Sequence, residues 1–336
     1  MIYIEFVRER ENQVMGTSGN INKPIFIQMV GISGSGKSYH AQELAKKYNA
    51  IIHSSDALRK EFYGDESIQD NPQKIFTELH QRIKKDLIKG RNVIMDATNL
   101  SMKRRMAFLQ ELKRIPCEKE AVLVLASRDK CIEQNDARER KVPHSVIDKQ
   151  IKQFQCPQKF EGWDNIRFAF DKLDDCLDVA ELLDRCDIPH DNPHHKLNIK
   201  EHMVAAASMK DIHMNDVIVV LAAKYHDIGK PFCKEFKDSR GNPSESAHYY
   251  NHHNVSAYLF LCSMAHSAVC TDCWDAMAPV AKGAYWSVIL DVCFLINYHM
   301  EEFLRKGESY KKFKKLIGEE KAERLHILHE CDLAAH

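Results

Sequence analysis

Short apolar runs alternate with longer segments of helical periodicity through the first half of the chain. Residues 24–30 (PIFIQMV), 50–53, 93–95, 121–125 and 166–170 are brief hydrophobic stretches, the signature of buried strands. Between them the spacing changes. A helix is predicted from the glycine-rich loop after residue 30 to about Tyr48, and a second over residues 72–89. In the second, Ile75, Phe76, Leu79, Ile83, Leu87 and Ile88 recur on one face, and Gly90 stops the helix. A basic helix is predicted over 103–113, and a charged one over 129–155 with a break at 142–143. Strands alternating with helices at this spacing predict a parallel sheet covered on both faces, an α/β domain over residues 24–170. Residues 1–23 are expected to form a loose leader. Residues 171–185 read as an acidic amphipathic helix, and the proline- and polar-rich stretch that follows makes 171–194 a linker. From 195 to 336 the apolar runs have helical length with no convincing strand, so the second domain is expected to be all-α.

Composition supports this two-part reading. A chain of 336 residues has room for about two domains of ordinary size. Lysine plus arginine and aspartate plus glutamate both number 48. No global basic field therefore draws in nucleic acid, and such a partner must be held by a local patch. Lys103, Arg104, Arg105, Lys113 and Arg114 are the candidates for that patch, with a plain solvated helix as the alternative. The 11 cysteines are odd in number and irregularly spaced, and the N-terminus is too charged for a secretory signal, so free thiols in a cytoplasmic setting are expected. The lone CxxC of Cys270 and Cys273 is weak evidence for zinc. No apolar run is expected to span a membrane.

The octapeptide Gly31-Ile32-Ser33-Gly34-Ser35-Gly36-Lys37-Ser38 fits G-x-x-x-x-G-K-[ST] between a predicted strand and a predicted helix. Its backbone amides can cradle phosphate oxygens at a helix N-terminus. Lys37 can reach the β- and γ-phosphates, and Ser38 can ligate Mg²⁺. Asp96, closing a strand, can hold the metal's hydration shell. ATP or a related triphosphate with Mg²⁺ is the expected ligand. Asp56, just after the second strand, can take a proton from an attacking hydroxyl or merely cap a helix. Arg59 lies one helical turn on, where it can meet an acceptor phosphate. Arg138 and Arg140 can close over the donor phosphates.

The second half is rich in histidine. The local signal is His226-Asp227-Ile228-Gly229-Lys230 after an apolar run, an adjacent imidazole and carboxylate that can both bind a metal. His202, His252, His299 and Asp332 lie in further helical segments. A nitrogen and carboxylate donor set suits Mn, Fe, Co or Ni better than a thiolate-type zinc site. Lys230 is placed to touch a substrate phosphate. His194, His195, His248 and His336 are supporting or substrate-facing candidates, whereas His53, His80, His213 and His326 read as structural.

These motifs carry two resemblances. GISGSGKS, SSDALR, VIMDATN and NDARERKVPHSVI together resemble the 5′-hydroxyl polynucleotide kinases of phage and bacterial RNA repair. That resemblance implies Asp56 as general base on a 5′-OH, Arg59 as acceptor contact and Arg138 as lid arginine. Gln134 stands where the family's lid often has arginine, which shifts the burden to Arg138 or Arg140. KEHM, KYHDIGKP, YYNHHNVSA, INYHM and HECDLAAH resemble the HD-domain phosphohydrolases. The implied metal ligands are His202, His226, Asp227, His252 (in preference to His253), His299 and Asp332, six donors that suggest two ions. Both together resemble the bifunctional HD-domain polynucleotide kinases. The implied function is healing of broken ends: a 5′-OH is phosphorylated, and a 2′,3′-cyclic, 2′- or 3′-phosphate is removed. The substrate would be RNA, with DNA as the alternative, and a ligase would follow. Two alternatives stay open: a small-molecule kinase fused to a nucleotide hydrolase, and a nucleotide-sensing P-loop that regulates the hydrolase.

Overall fold

The computed structural model describes residues 2–4, 23–170, 176–193, 196–209, 216–269 and 277–336. They pack as two compact units. The first comprises residues 1–147, 157–172 and 277–283, and the second 148–156, 173–276 and 284–336. Cys270, Cys273, His194, His195 and His213, like most of the leader, lie outside the described residues.

The first unit is built on a six-stranded sheet in the order β1-β6-β5-β2-β4-β3. The strands are β1 (Ile2–Ile4), β2 (Ile25–Val30), β3 (Ile51–Ser54), β4 (Val93–Asp96), β5 (Glu118–Leu125) and β6 (Asn165–Phe170). All neighbours are parallel except β1, which runs antiparallel to β6. The expected leader thus begins with an edge strand. Helices α1 (Lys37–Tyr48), α2 (Ser55–Tyr63), α3 (Pro72–Ile88), α4 (Met102–Glu111), α5 (Arg128–Asp136) and α6 (His144–Ile151) follow in chain order. Every residue of β2 is buried, as a central strand covered on both faces requires. One face packs Ile25, Ile27 and Met29 with Ala41 and Leu44 of α1. On the other, Phe26 meets Phe108 of α4 edge-on at 5.4 Å.

One member of the basic patch is misplaced in the sequence reading. Arg105 is fully buried and makes a two-pronged ion pair with Glu161, its Nε to Oε2 at 2.8 Å and its Nη2 to Oε1 at 2.7 Å. Its Nη1 donates to the carbonyls of Asn99 and Leu100, both at 3.0 Å. It stitches the turn after β4 instead of facing solvent. Lys103, Arg104, Lys113 and Arg114 are exposed.

The second unit is helical, with α7 (Val179–Asp184), α8 (Ile199–Ala207), α9 (Val217–Tyr225), α10 (Lys230–Cys233), α11 (His252–Val269), most of α12 (Pro279–Tyr298), α13 (Glu301–Leu304), α14 (Gly307–Ile317) and α15 (Glu319–Ala334). It is not all-α. A short antiparallel ribbon, β7 (Glu235–Lys237) and β8 (Pro243–His248), interrupts it. The division expected at the 171–194 linker is also revised, because residues 148–156 pack in this unit. Phe154 is fully buried against Tyr258 at 5.2 Å, and the carbonyls of Lys152 and Phe154 accept from Asn254 at 2.9 Å and Asn297 at 3.0 Å. The stretch Val280–Leu304 does reach the length and mean hydropathy (1.3) of a membrane span. Half of that window is buried, including Trp286, Val292, Cys293 and Phe294, which is how a core helix packs.

Candidate functional site

In the first unit the strand ends assemble the phosphate loop. β2 leads into Gly31–Gly36, and α1 starts at Lys37. The loop is tied to the neighbouring strand end, with the Gly31 amide donating to Thr98 O at 3.1 Å and Asn99 Nδ2 donating to Met29 O at 2.7 Å. Gly34 has φ +82°, and a β-carbon there would lie 2.1 Å from the carbonyl oxygen of Cys131. Both the backbone conformation and the close approach of α5 demand glycine.

Ser38 Oγ donates to Asp96 Oδ2 at 2.8 Å, bringing together the two residues predicted to hold Mg²⁺. Lys37 is buried, and its Nζ donates to Ile32 O at 2.6 Å. Burial holds its pKa below the usual lysine range, Asp96 opposes that, and Arg138 pushes it further down. Arg138 therefore stands within electrostatic reach of the phosphate loop, although it is exposed.

Ser54, not Asp56, caps α2, its Oγ accepting from the amides of Asp56 at 3.2 Å and Ala57 at 3.5 Å. The Asp56 carboxylate is left to side chains: Oδ1 accepts from Arg59 Nη1 at 2.9 Å, and Oδ2 from Arg140 Nη1 at 3.2 Å. Arg140 also pairs with Glu66 at 3.3 Å. Of the two arginines expected to form a lid, Arg140 is the one that meets Asp56. Arg59 is 6 % exposed, and its Nε has no hydrogen-bond partner among the described residues. The segment bearing the arginines is closed by Asn135, which sequence reasoning missed. Its amide bonds both the carbonyl and the N–H of Val142, at 2.9 and 2.8 Å. Gln134 lies beside the loop, its Oε1 3.9 Å from where a β-carbon on Gly36 would sit.

In the second unit, all six predicted metal residues converge in one buried cluster. His202 comes from α8, His226 and Asp227 from the turn after α9, His252 from the start of α11, His299 from the residue after α12, and Asp332 from α15. His202 Nε2 is 2.9 Å from Asp332 Oδ1 and 3.7 Å from Asp227 Oδ2. His226 Nε2 is 3.3 Å from Asp227 Oδ2 and 3.5 Å from Asp332 Oδ1. His252 and His299 approach Asp227 Oδ1 with their Nε2 atoms, at 3.1 and 3.9 Å.

The tautomers follow from the other ring nitrogen. Nδ1 of His226, His252 and His299 each faces the carbonyl three residues back, at 2.8 Å. Nδ1 of His202 faces Ala335 O at 3.3 Å. A carbonyl only accepts, so each Nδ1 carries the hydrogen and each Nε2 presents a lone pair when the ring is neutral. His252 Nε2 and His299 Nε2 are 3.2 Å apart. Two neutral rings in these tautomers point lone pairs at each other, an arrangement a cation relieves.

Two buried carboxylates add negative charge to the cluster. Burial works against ionising Asp227 and Asp332. Neighbouring histidines outweigh it for both, as does Lys230 for Asp227, and hold both carboxyls well below the usual range. Burial also opposes a charge on His226, but Asp227 and Asp332 raise it to about 10. His299 is driven well below the usual histidine range by burial and then by His226 and His252. Atoms of His202, His226 and Asp227, of Asp227, His252 and His299, and of His202, Asp332 and His336 form three groups, each within 4.8 Å. The donor set therefore fits divalent metal.

Asp227, His252, His299 and Asp332 of the cluster line a cleft of about 270 Å³. Lys230, 6 % exposed, pairs with Asp227 Oδ2 at 2.5 Å and lies 3.3 Å from His190 Nε2. His190 is a buried residue that no local pattern singled out. His248 and His336 also line the cleft. Of the histidines read as structural, His53 pairs with Asp86, His80 with Glu111, and His326 with Glu302.

Fold and loop together define the first unit as a P-loop α/β domain, whose buried Lys37 and Ser38–Asp96 pair fit a nucleoside triphosphate with Mg²⁺. Residues 26–157 match a family described as an AAA domain. Among solved structures, the chain is similar to one in the "Pnkp1/Rnl/Hen1 RNA repair complex", with 22 % identity and a TM-score of 0.34 over 40 % of this chain and 46 % of that one. It is also similar to a gluconokinase from Sinorhizobium meliloti 1021, with 19 % identity and a TM-score of 0.33 over 44 % of this chain and 83 % of that one. The chain spans less than half the length of the repair-complex chain.

Proposed function

We propose that this chain heals broken polynucleotide ends, phosphorylating a 5′-OH in its first unit and removing a 2′,3′-cyclic, 2′- or 3′-phosphate, with RNA as the favoured substrate, in its second. The observation that carries the reading is one chain holding both an Asp56 carboxylate left uncommitted by helix capping on a P-loop domain and a buried His/Asp cluster beneath an open cleft.

In the first reaction Asp56 accepts the proton of the 5′-OH as its oxygen attacks the γ-phosphorus, and ADP leaves. Arg59 holds Asp56 and faces the acceptor. Lys37 and Arg138 neutralise donor phosphates, and Arg140 releases Asp56 when the acceptor enters. In the second unit, His202, His226, Asp227 and Asp332 would hold one divalent ion of the Mn, Fe, Co or Ni type, and Asp227, His252 and His299 another. Such ions supply a water of lowered pKa and neutralise charge on the phosphoryl group. The chain's own contribution is to fix the Nε2 lone pairs through the Nδ1 hydrogen bonds and to present Lys230 to the phosphate.

The test is an oligonucleotide with a 5′-OH and a 2′,3′-cyclic end, incubated with ATP, Mg²⁺ and Mn²⁺ or Ni²⁺ and read by mass. Gain of phosphate at one end and opening of the cyclic phosphate at the other is the expected result. Absence of 5′ transfer by folded protein sinks the kinase half. A wild-type rate no better than that of the His226→Ala, Asp227→Ala double variant sinks the hydrolase half. Equal use of a free nucleoside would favour a small-molecule kinase.

A further inference from the structure

The walls of the second-unit cleft differ in chemistry from its floor. His248, at the end of β8, and Tyr250, two residues on, stack their rings nearly parallel, 3° between planes and 5.4 Å between centroids. His248 is held at its edge, with Nε2 3.2 Å from Ser244 Oγ. Between them Tyr249 turns the other way. Its hydroxyl donates to the His190 carbonyl, and the Lys230 ammonium lies 5.5 Å from its ring centre. The ribbon is anchored to the wall near His190, because the Ala247 amide donates to Asp191 O at 2.8 Å and the Ala247 carbonyl accepts from Asn192 at 3.2 Å. Phe303, which also lines the cleft, is braced edge-on by His329 at 4.3 Å.

A His/Asp-lined floor that would hold divalent cations, beneath aromatic walls, fits a ligand with an anionic end and a flat, conjugated body. The cleft volume of about 270 Å³ sits near the lower end of the range for small-ligand pockets, room for one terminal unit and no more. Phosphate on the floor and a ring against the wall is the layout of a nucleotide. Every base offers a π face, so an aromatic platform reads the presence of a base without reading sequence.

We propose that the His248–Tyr250 pair is a base-stacking platform that makes the second site selective for terminal nucleotides over base-free phosphates. The proposal rests on the phosphohydrolase reading above, since it places the phosphate on the His/Asp floor. It names the recognition element for the sugar-linked base, and Tyr250 is its specificity-determining residue.

The probes are adenosine bearing a non-hydrolysable methylphosphonate in place of the 3′-phosphate, and the corresponding ribose methylphosphonate without a base. Each is titrated calorimetrically into the full chain with Mn²⁺ present. The wild-type protein is expected to bind the adenosine analogue about ten-fold or more tightly than the base-free one, the lower range of a base–aromatic stack. Tyr250→Ala should lose that ten-fold for the adenosine analogue and leave the base-free Kd unchanged, while Tyr250→Phe should behave as wild type. Equal wild-type affinities for the two probes, no binding of either, or an equal loss for both in Tyr250→Ala overturns the platform. Phosphate release from adenosine 2′- and 3′-phosphate and from adenosine 2′,3′-cyclic phosphate is followed in parallel. Preferential binding without release leaves the platform standing and removes the hydrolase reading, whereas release without preference does the reverse.

Discussion

Gly229 offers a direct test of how tightly the His/Asp cluster depends on helix packing. Its φ of −83° is one that any residue adopts, so its glycine identity is set by space. The Gly229 amide donates to Ser256 Oγ at 2.9 Å, and a β-carbon would lie 2.5 Å from Ser256 N and 2.6 Å from His252 O, both backbone atoms of α11. Ordinary contact begins at 3.4 Å, so Gly229→Ala must drive the start of α11 back by about 0.9 Å. His252 sits on that turn, 3.1 Å from Asp227 Oδ1 and 3.2 Å from His299 Nε2. Overpacking of this kind costs about 1–3 kcal/mol, and ligand sites tolerate roughly 0.5 Å of displacement. The expected outcome has two parts, both read from urea unfolding followed by circular dichroism, with and without Mn²⁺. Without metal, stability falls by about 1–3 kcal/mol. With metal at 100 times the wild-type Kd, the wild type gains about 2.7 kcal/mol, whereas a variant whose Kd has risen 100-fold keeps about 0.4 kcal/mol. A variant as stable as wild type would refute the packing argument, and a wild type that gains no stability from Mn²⁺ would refute the metal reading of the cluster.

Three further outcomes follow from single contacts. Asp56→Asn should lower kinase kcat by about 10²–10⁴-fold, the usual worth of a general base, with ATP affinity unchanged; an unchanged kcat in a 5′-OH transfer assay would remove Asp56 from the chemistry. Arg105→Met should destabilise the first unit by about 3–5 kcal/mol by leaving Glu161 charged and buried, while the Arg105→Met, Glu161→Met pair should recover much of it in thermal unfolding; equal losses in the single and double variants would argue against the ion-pair account. Asp216 caps α9 through Ile218 N and Val219 N and accepts from Arg324 Nε at 2.7 Å; although burial opposes ionisation, Arg324 and these amides depress its pKa. Its stabilisation is therefore complete above the ordinary carboxylate pKa of about 4 and is lost as pH falls through the folded value, so Asp216→Ala should cost about 1 kcal/mol at neutral pH and flatten that acid limb of the urea midpoint.

The P-loop unit was legible because its chemistry is contiguous. Eight consecutive residues contain the whole loop, and the strands around it are plain apolar runs, so Ser38 and Asp96 meet where strand ends must meet. Arg105 was misread because its charge was weighed and its position was not. Met102, Arg105, Phe108 and Leu112 fall at successive three- and four-residue steps and all face the interior, so periodicity already placed the arginine on the buried stripe. The ribbon of β7 and β8 was invisible for a different reason. EFK and PSESAH are short and polar, and their pairing depends on a turn in which Asp238 Oδ1 accepts from the amides of Arg240 and Asn242, both at 2.8 Å. Residues 148–156 read as the tail of a first-domain helix, since nothing in them announces Asn254 and Asn297, the distant partners that hold their carbonyls.

The His/Asp cluster shows why residue types were readable and the site itself was not. Three of the four histidines are unremarkable alone, each a buried imidazole satisfied by the carbonyl one turn behind it. The i−3 hydrogen bond recurs at His226, His252 and His299, and it does the same thing each time: it spends Nδ1 locally and aims Nε2 outward. Three helix ends so arranged contribute lone pairs to a point that none of them can stabilise alone. The cost of gathering those lone pairs around two buried carboxylates is met only if something positive joins them. Lys230 supplies one charge from within the chain, at Asp227 Oδ2. It leaves the contact between His252 and His299 unrelieved, and that contact, on the face of the cluster toward the cleft, is where a metal ion and the phosphate it draws would have to lie.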